Sequence, residues 1–361
     1  MKLVYINPDC YADVDLNLLK YLAREFEVAW YPVYYTDRPI YVSPEEMTAY
    51  ASENGIQLHL CPRKFRQRDP RNLGFYADIV QDINAWNPDI VYTCITEELW
   101  WVVASRKLTS PKRVLGIHDV LKHSDNRPLK RFIQGRIQDL AIKCNTNYCV
   151  FSESQRQLFH RLYGKSPVVF GLGSKDFGPS DLHPAPVSQE VSLLFFGNIV
   201  RYKGLDLLIE SLEQLRQEGI RNIRLTIAGK GDDWPNCEKL LRTPEMFDLR
   251  VRFIENVEIP DLFCSHHFLA LPYRDATQSG PISIAANYGL PIFAPEFGCF
   301  IEQYDRAASV LYSDLATGLR RLSCMTDEEY DNIKLNAEKE KIRVSAQVIA
   351  DKYIEFFKSL C

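Results

Sequence analysis

Four short segments combine residue types that bind or move charge, and each follows an apolar run. In "FFGNIVRYKGLDLL", Gly197 closes the run, and Arg201 and Lys203 precede a helical pattern. A glycine there lets the backbone approach a ligand, and two cations beside a helix start suit a diphosphate. Each charge-assisted hydrogen bond is worth roughly 1.5–3 kcal/mol. A solvated loop is the plain alternative. In "YRDATQSGPISIAANYGLPIFA", Pro281 fits the first helical position, Ser279 or Gly280 the N-cap, and Gly289 the position just past the helix end. The N–H groups around Ser279, Gly280 and Ile282 would then leave the helix start beside the side chains of Thr277 and Gln278. That is a neutral cradle for an anion, with ordinary helix capping as its rival. "GIHDV" puts His118 and Asp119 at a strand exit, where an imidazole either exchanges a proton with a reacting hydroxyl or is structural. In "AGKGDD", Gly229 and Gly231 allow a tight turn close to a ligand, or a plain turn with solvated Asp232 and Asp233.

These segments need a frame, and hydrophobic periodicity supplies one. "KLVYIN" reads as a buried strand, "DLNLLKYLAREF" as an amphipathic helix and "EVAWYPVYY" as a strand; "GIQLHLCP" reads as one further strand. "LGFYADIVQDINAW" is a helix stopped by Asn87-Pro88, and "DIVYTCI" is a strand. "LWWVVASRKL" (helix), "KRVLGIHD" (strand), a basic helix from Leu129 to about Lys143, "TNYCVFS" (strand) and the Ser-capped "SESQRQLFHRLYG" continue the pattern. "GLGSKDFGPSDLHPAPVSQE" is the linker candidate. Alternation then restarts with "VSLLFFGNI", "KGLDLLIESLEQLRQEG", "IRLTIAGKGDD", "LRVRFIEN" and "FLALPY", and "VSAQVIADKYIEFFKSLC" is a closing amphipathic helix. Two α/β domains with doubly wound parallel sheets are expected, with ligands beyond the C-terminal strand ends and a cleft between the domains.

Several function classes drop out. "YINPDCYADVD" has no glycine, which argues against a dinucleotide dehydrogenase, and no GxxxxGK[ST], GxSxG or zinc spacing occurs. The ten cysteines are scattered and form no CxxC, which suits reduced thiols in a cytoplasmic protein. His266-His267 beside Cys264 point to opposite faces of a strand, so no metal site is expected. No apolar run reaches the ~20 residues of a membrane span, and no signal peptide is read at the start. The net charge of −4 hides a basic first half, with excess in "RKFRQRDPR" and from Arg106 to Lys143. That excess is either a solvated face or a contact for an anionic partner such as a membrane surface.

Together, "LLFFGNIVRYKGLDLLIESLEQL", "LTIAGKGDD", "IPDLFCSHHFLALPY" and "QSGPISIAANYGLPIFA" resemble the retaining glycosyltransferases of the GT-B fold, family 4 (glycosyl transferases group 1), in order and spacing. In the first half, "NPDIVYTC" and "GIHD" fit. The resemblance implies two Rossmann-like domains: 1–175 on the acceptor side, 176–340 holding a nucleotide-sugar donor, and 341–361 as a helix crossing back to the first. It implies transfer of a hexose from a nucleoside diphosphate sugar to a hydroxyl of a glycan or lipid-linked acceptor, with retention and without a metal or other cofactor. Arg201, Lys203, Thr277, Gln278, Ser279 and Gly280 would hold the diphosphate; Gly197, Gly229, Val257 and Ile259 would make other donor contacts. His118 would sit near the transferred sugar, with Asp275 beside it. A cytoplasmic location, peripheral membrane contact through the first domain and no nucleic-acid partner complete the expectation.

Three positions depart from the family pattern, one of them Asn198, where an Arg is frequent and for which Arg201 is placed to compensate. Where many members carry a Glu pair, this chain has Ala276 and Ile284, and Ile284 cannot accept a ribose hydrogen bond. Asp275 is the nearest substitute for the first Glu. The departure leaves open a non-catalytic sugar-nucleotide-binding or scaffold protein of the same fold, and a sugar phosphorylase is a further alternative.

Overall fold

The computed structural model of the protein describes residues 1–37, 40, 42–121, 128–276 and 279–360. The chain forms two α/β units, Met1–Gly171 with Ala346–Cys361, and Leu172–Ser345. In the first, strands β1 (Lys2–Pro8), β2 (Glu27–Tyr35), β3 (Gln57–Leu58), β4 (Cys61–Arg63), β5 (Ile90–Thr93), β6 (Lys112–Ile117), β7 (Asn147–Val150) and β8 (Val168–Val169) make one sheet. Its order is β3-β2-β1-β5-β6-β7-β8, with β4 also on β2. Helices α1 (Ala12–Leu22), α2 (Pro44–Glu53), α3 (Asn72–Trp86), α4 (Leu99–Ala104), α5 (Pro128–Cys144) and α6 (Glu153–Tyr163) connect them.

The second unit places β9 (Val191–Phe196), β10 (Ile223–Ala228), β11 (Phe247–Arg250), β12 (Phe268–Ala270), β13 (Ile292–Pro295) and β14 (Ser309–Tyr312) in the order β11-β10-β9-β12-β13-β14. Its helices are α7 (Leu205–Gln217), α8 (Trp234–Glu238), α9 (Ile259–Cys264), α10 (Gly280–Asn287), α11 (Gly298–Gln303), α12 (Leu315–Ser323) and α13 (Asp327–Arg343). The last helix, α14 (Ala346–Ser359), belongs to the first unit.

Parallel strands are covered on both faces, so they read as unbroken apolar runs. Leu3, Val4, Tyr5 and Ile6 of β1 are buried, as are Leu193, Leu194 and Phe195 of β9. Strand order reverses at β1/β5 in one sheet and at β9/β12 in the other, and ligands collect at such switch points. α14 buries Ile349, Tyr353 and Phe357, four residues apart on one helical face. Tyr353 stacks on Phe170 at 3.8 Å, and its hydroxyl lies 3.3 Å from that of Tyr92.

Three expectations are corrected. "GIQLHLCP" is not one strand: β3 and β4 pair β2 in the same register on either side of a gap. The gap lies opposite Tyr31 and Pro32, and Pro32 has no N–H for the ladder. "LRVRFIEN" is strand only to Arg250, because the Arg250 carbonyl accepts from both Gly229 N–H (3.1 Å) and Arg252 N–H (2.9 Å), which turns the chain. Much of the supposed linker is docked on the second unit: Ser174 N–H donates to Val344 (2.7 Å), Lys175 N–H to Ser283 (3.1 Å) and Ser180 Oγ to Asp261 (2.6 Å). His266 and His267 are committed to hydrogen bonds within the fold, on Thr226 and Leu262 and on Ser192 and Ala185 respectively.

The exits of β9 and β10 press together. Gly229 has φ +147°, and a Cβ there would stand 1.9 Å from the Gly197 carbonyl oxygen. Nothing lies within 4 Å of a Cβ on Gly280. Gly229→Ala should therefore cost about 3–5 kcal/mol in urea unfolding, whereas Gly280→Ala should shift stability by about 0.5 kcal/mol or less. Equal midpoints for the two variants would contradict the packing.

Candidate functional site

Near the β9/β12 switch point the second unit brings together Gly197, Lys203, Gly229 and Pro281 at the start of α10. After β9, Gly197 turns with φ +102°, and Arg201–Lys203 form one 3₁₀ turn before α7. Arg274, just beyond β12, fixes that turn from the side. Its N–H donates to Tyr202 O (2.7 Å), its Nη1 to Arg201 O (2.8 Å), and its guanidinium grips both carboxylate oxygens of Asp206 at 2.7 Å. This forked contact ties the start of α7 to the β12 loop.

Within this frame Lys203 is 7% exposed. Its Nζ stands 3.1 Å from where a Cβ on Gly197 would be and 5.7 Å from the centre of the Tyr273 ring. Among the described residues no carboxylate pairs with it. Burial lowers the ammonium from its ordinary value of 10.5 to about 8. A buried cation lacking a counter-ion stores electrostatic cost that an incoming anion relieves. Arg201 is exposed on the same turn.

The cradle is narrower than expected. Ser279 is buried and caps α10, but its N–H donates to Gln303 Oε1 (3.0 Å), and its hydroxyl lies 3.3 Å from the Tyr273 hydroxyl. Ile282 N–H returns to Ser279 O at 3.2 Å, and Pro281 has none. Gly280 is thus the backbone donor left at this helix start among the described residues. Thr277 and Gln278 lie outside the described residues. Gly289 has φ +56° and follows the helix cap, as its place in the sequence suggests. Asp275 is exposed in the bend after Arg274. Val257 is 83% exposed, whereas Ile259 is core, so contact from Ile259 would run through its backbone. Ile284 is also core, packed in the cluster of Ile282 and Ala285, and Ala276 packs against that cluster.

His118 belongs to the first unit, at the exit of β6. Its ring is sandwiched between Tyr11 (4.4 Å, 7°) and Phe151 (4.0 Å, 14°). The next residues are tied down as well: Val120 N–H donates to Gln155 Oε1 (2.8 Å) and Gln138 Nε2 to Val120 O (2.9 Å). The basic run Arg63–Arg71 is not a uniform basic face. Arg63 is buried against Glu98 at 2.6 Å, and Arg71 pairs with Asp69 at 2.7 Å. Arg274, Tyr273, Gln303 and Tyr11 were not singled out from the sequence. Of these, only Arg274 carried a signal, as a cation in the loop after an apolar strand.

A family model described as Glycosyltransferase Family 4 matches residues 16–170, and one described as Glycosyl transferases group 1 matches residues 190–320. No curated protein sequence matches the chain. Among solved structures the chain is similar to Anabaena Alr3699/HepE in complex with UDP and glucose, with TM-score 0.70 and 16% identity over 99% of this chain and 100% of that one. It is similar to sucrose-phosphate synthase from Thermosynechococcus elongatus, with TM-score 0.74 and 12% identity over 100% and 99% of the two chains. It is also similar to WaaG, a glycosyltransferase involved in lipopolysaccharide biosynthesis, with TM-score 0.64 and 16% identity over 99% of both chains. At these identities the likeness is one of fold.

The buried ammonium has a measurable cost. Its folded value lies below its unfolded one, so the full penalty, on the order of 3 kcal/mol, applies below about pH 8 and fades as pH rises towards 10.5. Lys203→Met should raise the unfolding midpoint of the ligand-free protein at pH 7, and the gain should shrink as pH approaches 10.5. A variant less stable than wild type at pH 7, or a gain that does not change with pH, would count against an uncompensated cation.

Proposed function

The chain belongs to the family 4 glycosyltransferases of the GT-B fold, the glycosyl transferases group 1, and from that premise we propose that it moves a hexose from a nucleoside diphosphate sugar to a hydroxyl acceptor with retention of configuration. The observation that carries the donor half is Lys203, a buried cation with no carboxylate partner among the described residues. In this reading the donor diphosphate is its counter-ion. Arg201 contacts the same group from the exposed side of the turn, and Gly280 N–H adds a backbone donor.

As the bond from the sugar's anomeric carbon to the phosphate oxygen breaks, charge grows on the diphosphate. Lys203 and Arg201 stabilise it there. The acceptor oxygen bonds to the same carbon on the face the phosphate leaves, and its proton passes to a phosphate oxygen. His118, held flat by its two aromatic neighbours, is assigned to a hydroxyl of the transferred sugar, and Asp275 stands in for the missing first Glu. The Anabaena HepE structure holds UDP and glucose, so uridine diphosphate sugars are the first donors to test.

Donor hydrolysis and transfer, followed over a panel of nucleoside diphosphate sugars, provide the test. One donor should turn over, and Arg201→Ala or Lys203→Ala should each lower kcat/KM by about 10- to 100-fold. Nucleotide binding without turnover of any donor would make the chain a non-catalytic binder. Phosphate-dependent release of sugar phosphate would make it a phosphorylase.

An acceptor at a membrane surface also fits this reading. Among the described residues no helix is long and apolar enough to cross a membrane. However, α5 exposes Leu129 (71%) and Phe132 (67%), with Ile133, Leu121 and Leu162 also exposed. Phe132 lines an open cavity of about 1110 Å³ together with Arg131, Arg136, Lys143, Lys165 and one carboxylate, Asp139, which pairs with Arg136 at 3.4 Å. Exposed apolar side chains beside an excess of cations suit an anionic lipid surface. The protein should co-sediment with phosphatidylglycerol vesicles at low salt, much less with phosphatidylcholine, and Phe132→Glu should release it. Equal binding to both lipids, or none, would remove the membrane from the proposal.

A further inference from the structure

The start of α10 faces the buried ammonium. A Cβ on Gly197 would stand 3.1 Å from Lys203 Nζ and 4.0 Å from Pro281 Cγ, so the cation and the helix's first turn meet over that glycine. A helix start carries partial positive charge, and a carboxylate there is the ordinary way to offset it. α10 has none: its first turn holds no acidic residue, and the Ser279 side chain makes no capping bond.

The Ser279 N–H meets Gln303 Oε1 instead, from α11, at 3.0 Å. This acceptor is held from behind. The Gln303 carbonyl accepts from Arg343 Nη2 at 2.8 Å, and Arg343 Nε donates to both oxygens of Glu340 at 2.9 Å. Glu340 is itself 3% exposed. Ser279 passes the constraint on, since its hydroxyl lies 3.3 Å from that of Tyr273, whose ring centre is 5.7 Å from Lys203 Nζ. Ser279 is 2% exposed, so its N–H needs an acceptor whether or not a ligand is bound.

Glutamine and glutamate have nearly the same shape, and an oxygen of either could accept this N–H. Only the charge differs. A carboxylate at this position would gain from the helix start, and it would also bring negative charge towards Lys203. The amide does neither. Asp275, Glu302 and Asp305 are close to Ser279 and Gln303 in the chain, but all three are exposed, where solvent and salt screen them.

We infer that Gln303 is a positioning residue of the donor site: its neutral oxygen satisfies the Ser279 N–H and holds the start of α10, while leaving the negative charge of the site to the donor's diphosphate. The inference rests on the donor reading of this site.

Calorimetric titration of the full chain with UDP, ADP and GDP, and with their monophosphates, tests it. At least one diphosphate should bind wild type. Gln303→Glu should weaken that diphosphate about tenfold and its monophosphate less, since the added charge repels a ligand in proportion to the charge it carries. The unfolding midpoint of the ligand-free Glu variant should hold or rise. Gln303→Met removes the oxygen without adding charge. It should lower that midpoint by leaving a buried N–H without its acceptor, yet bind the diphosphate within about threefold of wild type. A purely structural cap predicts the reverse, with Met the damaging change and Glu a harmless one. Should the Glu variant fail to fold, Gln303→Asp carries the same charge. Wild-type diphosphate affinity in the folded acidic variant, an equal loss for diphosphate and monophosphate, or a loss in the Met variant as large as in the acidic one would each overturn the inference. If wild type binds a diphosphate in those samples, only this inference falls. If it binds none of the three, the donor reading falls and takes the inference with it.

Discussion

A lysine ammonium held out of water, with no carboxylate partner among the described residues, is the constraint around which the second unit is arranged. Burial alone would favour discarding that charge, and an apolar residue of similar length would make a more stable protein. The surroundings keep it nonetheless. Gly197 clears room for the Nζ, Gly229 lets the neighbouring strand exit close up, and the Tyr273 ring gives the cation a polarisable face. The Arg274–Asp206 fork then sets the turn that carries it. Each part makes sense if the site's most stable state contains an anion.

Topology explains why the charge sits there. Each sheet is wound outward from a central strand, so each has one crevice where neighbouring connections leave in opposite directions. In the second sheet that crevice lies between β9 and β12 and is cationic. In the first it lies between β1 and β5. One architecture used twice thus gives each unit a crevice of its own.

How much of this was legible in the sequence depended on distance along the chain. Gly197, Arg201 and Lys203 stand within seven residues, so their grouping was readable as a motif. The βα alternation showed the sheets for the same reason, since each period is local. The positioning contacts were not legible. Arg274 meets Asp206 across 68 residues, and Gln303 takes the Ser279 N–H across 24, which removed a donor from the expected cradle. Arg63 read as part of a basic run because nothing nearby in sequence reveals that Glu98 neutralises it. Burial of Lys203 was hidden too: a lysine before a helix looks solvated until the glycines on either side are folded against it.

The most direct measurement is the titration of the Lys203 ε-amine itself, followed by NMR with and without saturating UDP. The account predicts a midpoint near 8 in the free protein and a clear rise when the diphosphate is bound. A free-protein midpoint at the ordinary 10.5, or one that UDP leaves unmoved, would contradict it.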